Sequence, residues 1–314
     1  MKQRIVIAGP TASGKSSLAV SLAEKTGGEI ISVDSRQCYR QINIGTAKPT
    51  PAQQARVPHH NVSILDLDQP DTVAAFKVRA EKYALEIEER GKTVIYCGGS
   101  SLHLQSIFHP LDDIPGANQK NVDQLTRQIE EEGLKSVYKK LLKADPEYAK
   151  KMDGMNPHRM IRALDVWMQT GKPFSEFHSG KAPKLPEHIS LFALHHPRKI
   201  LHQRISDRTD RMIADGLVEE TESLLKKGYS PNLQALQTVG YRQAIQHLRG
   251  EISRQDMVAD IKTATRRYAK RQITWLRRWN FVEWLDLSPA DDANTGQELI
   301  EHIEQQVAAD IQKG

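Results

Sequence analysis

An eight-residue loop near the amino terminus constrains this chain more than any other feature. Residues 9–16 read Gly-Pro-Thr-Ala-Ser-Gly-Lys-Ser and fit the G-x-x-x-x-G-K-[ST] phosphate-binding motif without a mismatch. The loop follows an apolar run and opens a segment with apolar residues at helical spacing, which is the context that the motif requires. A glycine-rich turn without a ligand is the alternative, but strand, loop, Lys-Ser pair and helix all agree. The loop therefore predicts a phosphate site at the end of a strand.

Each part of this loop has a physical role in binding pyrophosphate. Glycine lets successive backbone N–H groups point at phosphate oxygens, and the helix N-terminus adds partial positive charge. Lys15 supplies a full charge, Ser16 is the expected ligand of Mg²⁺, and two arginines four residues apart on a later helix are predicted to complete the clamp. The predicted pyrophosphate-binding residues are Gly9, Pro10, Thr11, Ala12, Ser13, Gly14, Lys15, Ser16, Arg204 and Arg208.

Strand and helix signals alternate along the first hundred residues, which predicts an α/β fold with a parallel sheet flanked by helices, of the P-loop NTPase-like kind. Strands are expected at residues 4–8, 29–33, 93–97, 190–194 and 281–285. Helices are expected at residues 15–25, 72–90, 200–214, 217–226, 255–278 and 297–312. Residues 112–186 carry helical patterns without a convincing strand and are predicted to form a helical insertion domain. The core built on this sheet is expected in residues 1–111 and 187–314.

Composition narrows the class of protein. Hydrophobic residues make up 39% of the 314 residues and charged residues 26%, as in ordinary soluble globular proteins. Cys38 and Cys97 are the two cysteines and form no Cys-x-x-Cys pair, which argues against a zinc site and for a reducing compartment. The apolar run at residues 5–8 is too short for a signal peptide or membrane span, so a cytoplasmic protein without a membrane partner is expected. The net charge of +5 suggests a polyanionic partner without establishing one.

A carboxylate follows the second predicted strand. Ligands of parallel sheets bind beyond the carboxyl ends of the strands, so Asp34 is expected to face the phosphate loop. Its carboxylate could hold Mg²⁺ through water, accept a proton or cap the next helix. Further along, residues 45–49 and residues 58–60 are each expected to form a turn, and the two histidines of the second turn fit packing roles better than metal binding.

Several segments, in this order and spacing, resemble the tRNA dimethylallyltransferase family, whose members are also called tRNA isopentenyltransferases. They read GPTASGKS at 9–16, SVDSRQCYR at 32–40, GTAKP at 45–49, PHH at 58–60, NPHR at 156–159, RALDV at 162–166, TVGYR at 238–242 and AKRQITWLR at 269–277. The resemblance runs from about residue 4 to about residue 285, and the DSRQ, GTAKP and AKRQ-TW segments together are highly specific. No Cys/His zinc-finger tail is present, so the chain resembles the compact bacterial form.

The resemblance implies a reaction. The donor would be dimethylallyl pyrophosphate, and the acceptor would be N6 of the adenosine 3′ of the anticodon, in the anticodon stem-loop of tRNA. Asp34 would be the general base and Ser100 the second catalytic residue, with Gln37 helping to orient the adenine. Where the family usually has Gly-Gly-Thr-Gly-Leu-Tyr, residues 98–103 read Gly-Gly-Ser-Ser-Leu-His, so Ser100 keeps the hydroxyl while its surroundings change.

A basic aromatic segment predicts that the carboxyl-terminal helices of the catalytic core bind RNA. Residues 266–279 hold six basic residues and no acidic one, a pattern that favours nucleic acid over a merely solvated face. On this segment Arg267, Lys270 and Arg271 are predicted to bind tRNA. The resemblance adds Asp34, Ser35, Arg36, Gln37, Ser100, His158, Arg159, Met160, Ile161, Arg162, Gln237, Thr238, Val239, Gly240, Tyr241 and Arg242. A monomer is expected. Two alternatives remain, namely a small-molecule kinase with the same loop and a non-catalytic RNA-binding protein that uses the basic segment.

Overall fold

The computed structural model describes residues 3–152, 154–178, 180, 182–287 and 293–313. The chain divides into two compact units. Unit 1 comprises residues Met1–His109 and Pro183–Gly314, and unit 2 comprises Pro110–Ala182. The sequence places the helical insertion at residues 112–186, and the observed unit begins two residues earlier and ends four residues earlier.

Unit 1 is built on one six-stranded parallel sheet. Its strands are β1 (Arg4–Ala8), β2 (Glu29–Val33), β3 (His59–His60), β4 (Val94–Gly98), β5 (Ile189–His195) and β6 (Glu283–Asp286). They lie side by side in the order β3-β2-β4-β1-β5-β6, and every pair is parallel. The predicted α/β class with a parallel sheet flanked by helices is confirmed.

Helices connect and cover these strands. Those of unit 1 are α1 (Lys15–Thr26), α2 (Pro51–Arg56), α3 (Val73–Glu89), α4 (Ser101–Phe108), α9 (Arg198–Ala214), α10 (Leu217–Lys226), α11 (Tyr241–Leu248), α12 (Arg254–Leu276) and α13 (Ala293–Lys313). Those of unit 2 are α5 (Gln119–Glu132), α6 (Leu134–Ala144), α7 (Pro146–Lys151) and α8 (Pro157–Thr170), followed by a 3₁₀ turn at Phe174–Phe177. None of the helices in the described part of the chain is both long and apolar enough to cross a membrane.

The central strands β1, β2, β4 and β5 are buried almost throughout because helices cover both faces of the sheet, and most of their residues are apolar. Alternate residues of β1 enter different cores: Val6 and Ala8 pack with α3 and α4 residues, whereas Ile5 and Ile7 pack with α1 and α13 residues. This alternation follows from the two-residue period of a strand. The two apolar layers fix the central strands and therefore the position of the loops that follow them.

Four short elements were not predicted from the sequence. The expected turn at residues 58–60 contains the short strand β3, because His59 and His60 pair with Ile30 and Ile31 of β2. Helices α2, α4 and α11 also went unpredicted, although Thr50 begins α2 with a complete capping box, accepting from the backbone N–H of Gln53. None of the four is longer than eight residues, which is too short for a clear periodic pattern.

Unit 2 has its own apolar core, formed by α5, α6, α7, α8 and the 3₁₀ turn. Two fully buried carboxylates stabilise it. Asp145 caps α7 by accepting from the N–H of Tyr148 at 2.9 Å and also accepts from Ser175. Asp165 accepts from Asn121 and from Arg162 at 3.0 Å each. A buried charge requires such partners, so these residues hold the unit together.

Candidate active site

The candidate active site lies at the carboxyl ends of β1, β2 and β4, where a parallel sheet binds its ligands. A cavity of about 90 Å³ opens there. The chemically active side chains that line it include Lys15, Ser16, Asp34, Cys97, Arg208 and Tyr268. The phosphate loop and the carboxylate predicted from the sequence therefore face one cavity within unit 1.

The phosphate loop has the strained backbone that its sequence predicts. Gly9 and Gly14 have φ angles of 142° and 94°, and Ala12 has a φ of 64° despite its side chain. Positive φ angles favour glycine and turn the backbone N–H groups inward. The Lys15 ammonium folds over the loop and donates to the carbonyl oxygen of Pro10 at 2.7 Å. The loop is thus already closed around the space that a pyrophosphate would occupy.

Both arginines predicted for the clamp reach this loop. Arg204 Nε donates to the carbonyl oxygen of Ala12 at 2.9 Å, and Arg208 Nη1 donates to Thr11 Oγ1 at 3.2 Å. They lie one turn apart on α9, so one helix face carries both. Arg208 also lines the cavity, which gives its guanidinium direct access to a bound anion.

The Lys15 ammonium loses its proton more readily than a lysine in water. Burial lowers the pKa of Lys15 to about 8, with Arg208 adding to the shift and with Cys97 and Asp34 opposing it. A pyrophosphate bound beside the ammonium would favour the charged form and raise this pKa again. The protonation state of Lys15 is therefore coupled to ligand binding at mildly alkaline pH.

We expect dimethylallyl pyrophosphate to bind with uptake of about one proton at pH 9 and with little uptake at pH 7, because Lys15 loses its proton above about pH 8 in the free protein. The terminal phosphate titrates near pH 6, so it is fully ionised at pH 9 and does not contribute to the uptake there. Calorimetry in two buffers of different ionisation enthalpy measures the uptake. Lys92→Met removes an exposed lysine and should leave the uptake unchanged. Absence of uptake by the unmodified protein at pH 9 would contradict this role of Lys15.

Asp34 is the first residue after β2, and its carboxylate contacts both the following turn and the cavity. Its Oδ1 accepts from the backbone N–H groups of Arg36 at 2.8 Å and Gln37 at 3.2 Å, which shapes the turn. The carboxylate also lines the cavity and interacts electrostatically with Lys15 and Arg208. The sequence left a helix cap open as one role of Asp34, but no helix begins in residues 34–50, so Asp34 stabilises a turn instead and also faces the cavity.

Gln272 was missed as a site residue, although it lies within the AKRQ segment. Its Oε1 accepts from the N–H of Thr11 and its Nε2 donates to the carbonyl oxygen of Gly99, both at 2.8 Å. One buried amide therefore joins the phosphate loop to the end of β4. No sequence spacing indicates this contact, since Gln272 and Thr11 are 261 residues apart.

Tyr268 is a second residue that the sequence did not place in the site. It lies one helical turn before Gln272 and lines the same cavity. Burial raises the pKa of Tyr268 to about 12, and Asp34 adds to the shift. The phenol is therefore neutral at physiological pH and offers both a donor and an acceptor to a ligand. The guanidinium carbon of Arg271 lies 5.8 Å from the centre of the Tyr268 ring.

Gln37, predicted to orient the adenine, is engaged by its own surroundings. Its Oε1 accepts from Ser32 Oγ at 2.8 Å, and its Nε2 donates to the carbonyl oxygens of Thr46 and Ala47. Gln37 therefore fixes the 45–49 loop against β2. It lines the cavity, and one lone pair of its amide oxygen remains for a ligand.

Ser100 occupies the N-cap position of α4, but its hydroxyl does not accept a hydrogen bond from the helix. The hydroxyl lies 2.9 Å from Nδ1 of His103, one of the residues that depart from the family pattern. Burial lowers the pKa of His103, so the imidazole is neutral and its Nδ1 can accept the hydroxyl proton. The ring packs edge-on against Phe76 at 4.7 Å, which fixes its orientation. The departures at positions 100 and 103 thus form one hydrogen-bonded pair.

We expect Ser100→Ala to lower turnover at least tenfold, a barrier increase of about 1.4 kcal/mol, because the hydroxyl follows β4 at the active edge of the sheet. Ser100→Thr should be nearly silent, since threonine keeps the hydroxyl. Single-turnover rates and melting temperatures check both variants. An alanine variant that melts early but turns over normally would restrict Ser100 to a structural role.

The residues of the TVGYR segment contact the 34–37 loop, which is predicted to bind tRNA, and the 45–49 loop. Arg36 Nε donates to Thr238 Oγ1 at 2.6 Å, and the N–H of Gly45 donates to the phenol oxygen of Tyr241 at 3.1 Å. Tyr241 is fully buried and also donates to Glu220, so its side chain supports the loop rather than facing solvent. Several predicted tRNA-binding residues have exposed side chains. They are His158, Arg159, Gln237, Arg242, Arg267, Lys270 and Arg271.

Some of the predicted tRNA-binding residues are held by other contacts. Within unit 2, Met160 is fully buried in the core, and Arg162 pairs with Asp165. Met160 can therefore reach a ligand only through its backbone. Contacts of tRNA with these residues stay predictions.

The donors of the site fit a magnesium ion bound together with phosphate. Magnesium prefers oxygen ligands, usually one or two protein groups completed by substrate phosphates and water. The Ser16 hydroxyl and the Asp34 carboxylate both line the cavity and provide such oxygens. No group of three or more His, Cys, Asp and Glu side chains in the described part of the chain forms a metal cage of its own. A metal at this site would therefore depend on the pyrophosphate.

Comparison with known proteins places this site in one family. The IPP transferase family model matches residues 37–279. A tRNA dimethylallyltransferase of Desulfitobacterium hafniense is 40% identical over 303 residues, 96% of each protein. The tRNA dimethylallyltransferase 1 of Trichlorobacter lovleyi is 42% identical over 91% of this chain and 94% of its own length.

Solved structures agree with this placement. The tRNA isopentenylpyrophosphate transferase of Bacillus halodurans is similar with a TM-score of 0.73 and 32% identity, covering 99% of each chain. A eukaryotic dimethylallyltransferase acting on tRNA is similar with a TM-score of 0.80 and 28% identity, covering 98% of this chain and 80% of its own. The resemblance drawn from the motifs is therefore confirmed, and this chain belongs to the IPP transferase family, which includes the tRNA dimethylallyltransferases.

Proposed function

We propose that this protein transfers a dimethylallyl group from dimethylallyl pyrophosphate to N6 of the adenosine 3′ of the anticodon in tRNA. The observation that carries the proposal is a single cavity lined by a phosphate-binding loop and by the carboxylate of Asp34. The names of the relatives support the same donor and acceptor classes. The acceptor adenosine lies in the anticodon stem-loop and must leave its stack to enter the cavity.

The transfer makes one bond and breaks one. The adenine N6 attacks the first carbon of the dimethylallyl group, and the bond from this carbon to the pyrophosphate oxygen breaks. Pyrophosphate leaves with the electron pair of that bond. Asp34 accepts the N6 proton as the new bond forms, which matters because the amine lone pair is delocalised into the ring.

The growing negative charge of pyrophosphate is stabilised by groups that the structure already holds in place. The N-terminus of α1, the Lys15 ammonium and the Arg208 guanidinium lie at the site. Ser16 would hold Mg²⁺ together with the phosphate oxygens, and the ion would supply further charge stabilisation for the leaving group. Tyr268 would contact the reacting groups as a neutral hydrogen-bonding partner.

Incubation with tRNA, dimethylallyl pyrophosphate and Mg²⁺, followed by nucleoside mass spectrometry, tests the proposal. We expect N6-dimethylallyladenosine at one position, pyrophosphate in equal amount, and no ATP consumption. Sequencing of the modified fragment should place the change 3′ of the anticodon. ATP hydrolysis in proportion to modification, or transfer of a phosphate to a small molecule, would instead support the kinase alternative.

The proposed assignment carries two physical expectations about the molecule in solution. A tRNA substrate fits the cytoplasmic location expected from the sequence. One chain contributes every residue that lines the cavity, so we expect a monomer to be active. Activity that rises with protein concentration in parallel with dimer formation, measured by light scattering, would contradict this.

A further inference from the structure

A second basic surface lies on unit 1, and none of its residues lines the cavity of Lys15 and Asp34. It is a depression of about 550 Å³ formed by the first turns of α9 and by one side chain of α12. The residues that line it, together called the α9 depression, are Arg198, Lys199, His202, Gln203, Ser206 and Arg266. Three of them carry a permanent positive charge, and none is acidic.

The charges of the α9 depression are not neutralised by the protein. Across the described ranges, no carboxylate lies within ion-pair distance of Arg198, Lys199 or Arg266. The neighbouring turn of α12 differs, because Lys262 pairs with Asp210 at 2.7 Å. Lys262 is thus neutralised by an ion pair, whereas Arg266, the next basic residue of α12, has no carboxylate partner among the described residues.

Arg266 and His202 show that the positive charges lie close together. The Nε of Arg266 is buried and has no hydrogen-bond partner within the described residues. Burial lowers the pKa of His202, and repulsion from Arg266 and Arg198 lowers it further. The protein therefore leaves one donor of the Arg266 guanidinium without a partner and crowds positive charge around it.

The position of the α9 depression indicates its ligand. Arg266 and Lys270 are one turn apart on α12, so the depression adjoins the exposed basic face of that helix. The 17-residue helix α9 begins at Arg198, and its first N–H groups add partial positive charge at the same place. An extended polyanion would cover both surfaces at once.

We infer that the α9 depression binds the phosphate backbone of tRNA and extends the RNA surface from α12 to the start of α9. This inference rests on the proposed function, in which tRNA is the substrate. Its consequence is specific: the α9 depression contributes to tRNA affinity through charge and leaves the transfer step itself unchanged. Each phosphate that a cation neutralises releases counterions, so its loss should reduce the salt dependence of binding.

The test uses the full-length double variant Arg198→Glu/Lys199→Glu, in which both changed side chains are exposed. We expect its Kd for tRNA at low salt to rise at least tenfold and the slope of log Kd against log salt to fall by about one to two. The KM for tRNA should rise in parallel, while the Kd for dimethylallyl pyrophosphate and the rate at saturating tRNA stay unchanged. The milder Arg198→Gln/Lys199→Gln variant should change the Kd, the salt slope and the KM in the same direction but by smaller amounts.

The matched control is Lys92→Glu/Lys227→Glu, which changes the net charge equally at two exposed lysines outside the α9 depression. The inference is overturned if the α9 double variant and this control have the same Kd and salt slope for tRNA. It is also overturned if the double variant loses affinity for dimethylallyl pyrophosphate as strongly as for tRNA, because the depression would then act on the cavity. Failure of the unmodified protein to prenylate tRNA would instead refute the proposed function.

Discussion

Asp34→Asn is expected to lower turnover by about 10²–10⁴-fold, the usual contribution of a general base. Asparagine is the sharper substitution because its amide oxygen can still accept the N–H groups of Arg36 and Gln37 that Asp34 Oδ1 accepts now. The turn is thereby retained, while the amide cannot take up the N6 proton. Single-turnover transfer with saturating tRNA measures the loss.

A comparison of three variants separates the two roles of Asp34, in proton transfer and in the turn. The melting temperature and the Kd for tRNA of Asp34→Asn should stay close to those of the unmodified protein. Asp34→Ala should lose the same activity and melt earlier, because it also removes the turn hydrogen bonds. Asp68→Asn makes the same chemical change on an exposed loop and should be silent. An asparagine variant with normal turnover would restrict Asp34 to the turn.

Gly99→Ala is expected to lower kcat/KM by at least about 10²-fold, because a shift of about 1 Å in a positioned site has that effect. An added Cβ at Gly99 would lie 2.3 Å from Gln272 Nε2 and 2.7 Å from the carbonyl oxygen of Gly9. Both contacts are too short for a Cβ, so the Gln272 amide and the phosphate loop must both shift, or Gly99 itself must be displaced. The affinity for dimethylallyl pyrophosphate should fall, and overpacking should destabilise the fold by about 1–3 kcal/mol.

Gly116→Ala is the matched control for this substitution. A Cβ at Gly116 meets nothing within 4 Å, so the same added methyl group should change neither activity nor melting temperature. Calorimetric titration with dimethylallyl pyrophosphate and thermal melts compare the two variants. Normal binding and activity of Gly99→Ala would show that the loops tolerate displacement and that their tight contact is not required.

Much of the fold followed from local patterns. The motif of residues 9–16 predicts its own backbone, since the glycines, the Lys-Ser pair and the helix act within one short segment. The boundaries of β2 agree with the expected Glu29–Val33, because Ile30, Ile31 and Val33 mark a buried strand before the turn residues that follow. Asp34 could be assigned to the active edge because carboxyl ends of parallel strands share one edge. The family resemblance then supplied the reaction.

Other expectations needed the packed chain. The sequence favoured a site role for Ser100 over a helix cap, and the structure shows that its hydroxyl makes no cap hydrogen bond and is paired with His103. Tyr241 of the TVGYR segment was predicted to bind tRNA. In the structure it is buried and supports the 45–49 loop by accepting from the N–H of Gly45. The strand β3 exists only because β2 lies beside it. In each case the role of a residue depends on which other part of the chain it contacts, and the local sequence does not show this.

The sequence by itself determined the class of fold, the phosphate loop and the family, because these depend on residues close together in the chain. Only the tertiary structure decided that Gln272 joins the phosphate loop to Gly99 and that Tyr268 lines the cavity. It also brought Arg266 beside Arg198 to form the α9 depression. The physical reason is that a helix face meets its partners through packing against the sheet, and the spacing of residues within that helix does not specify which distant loop it will contact.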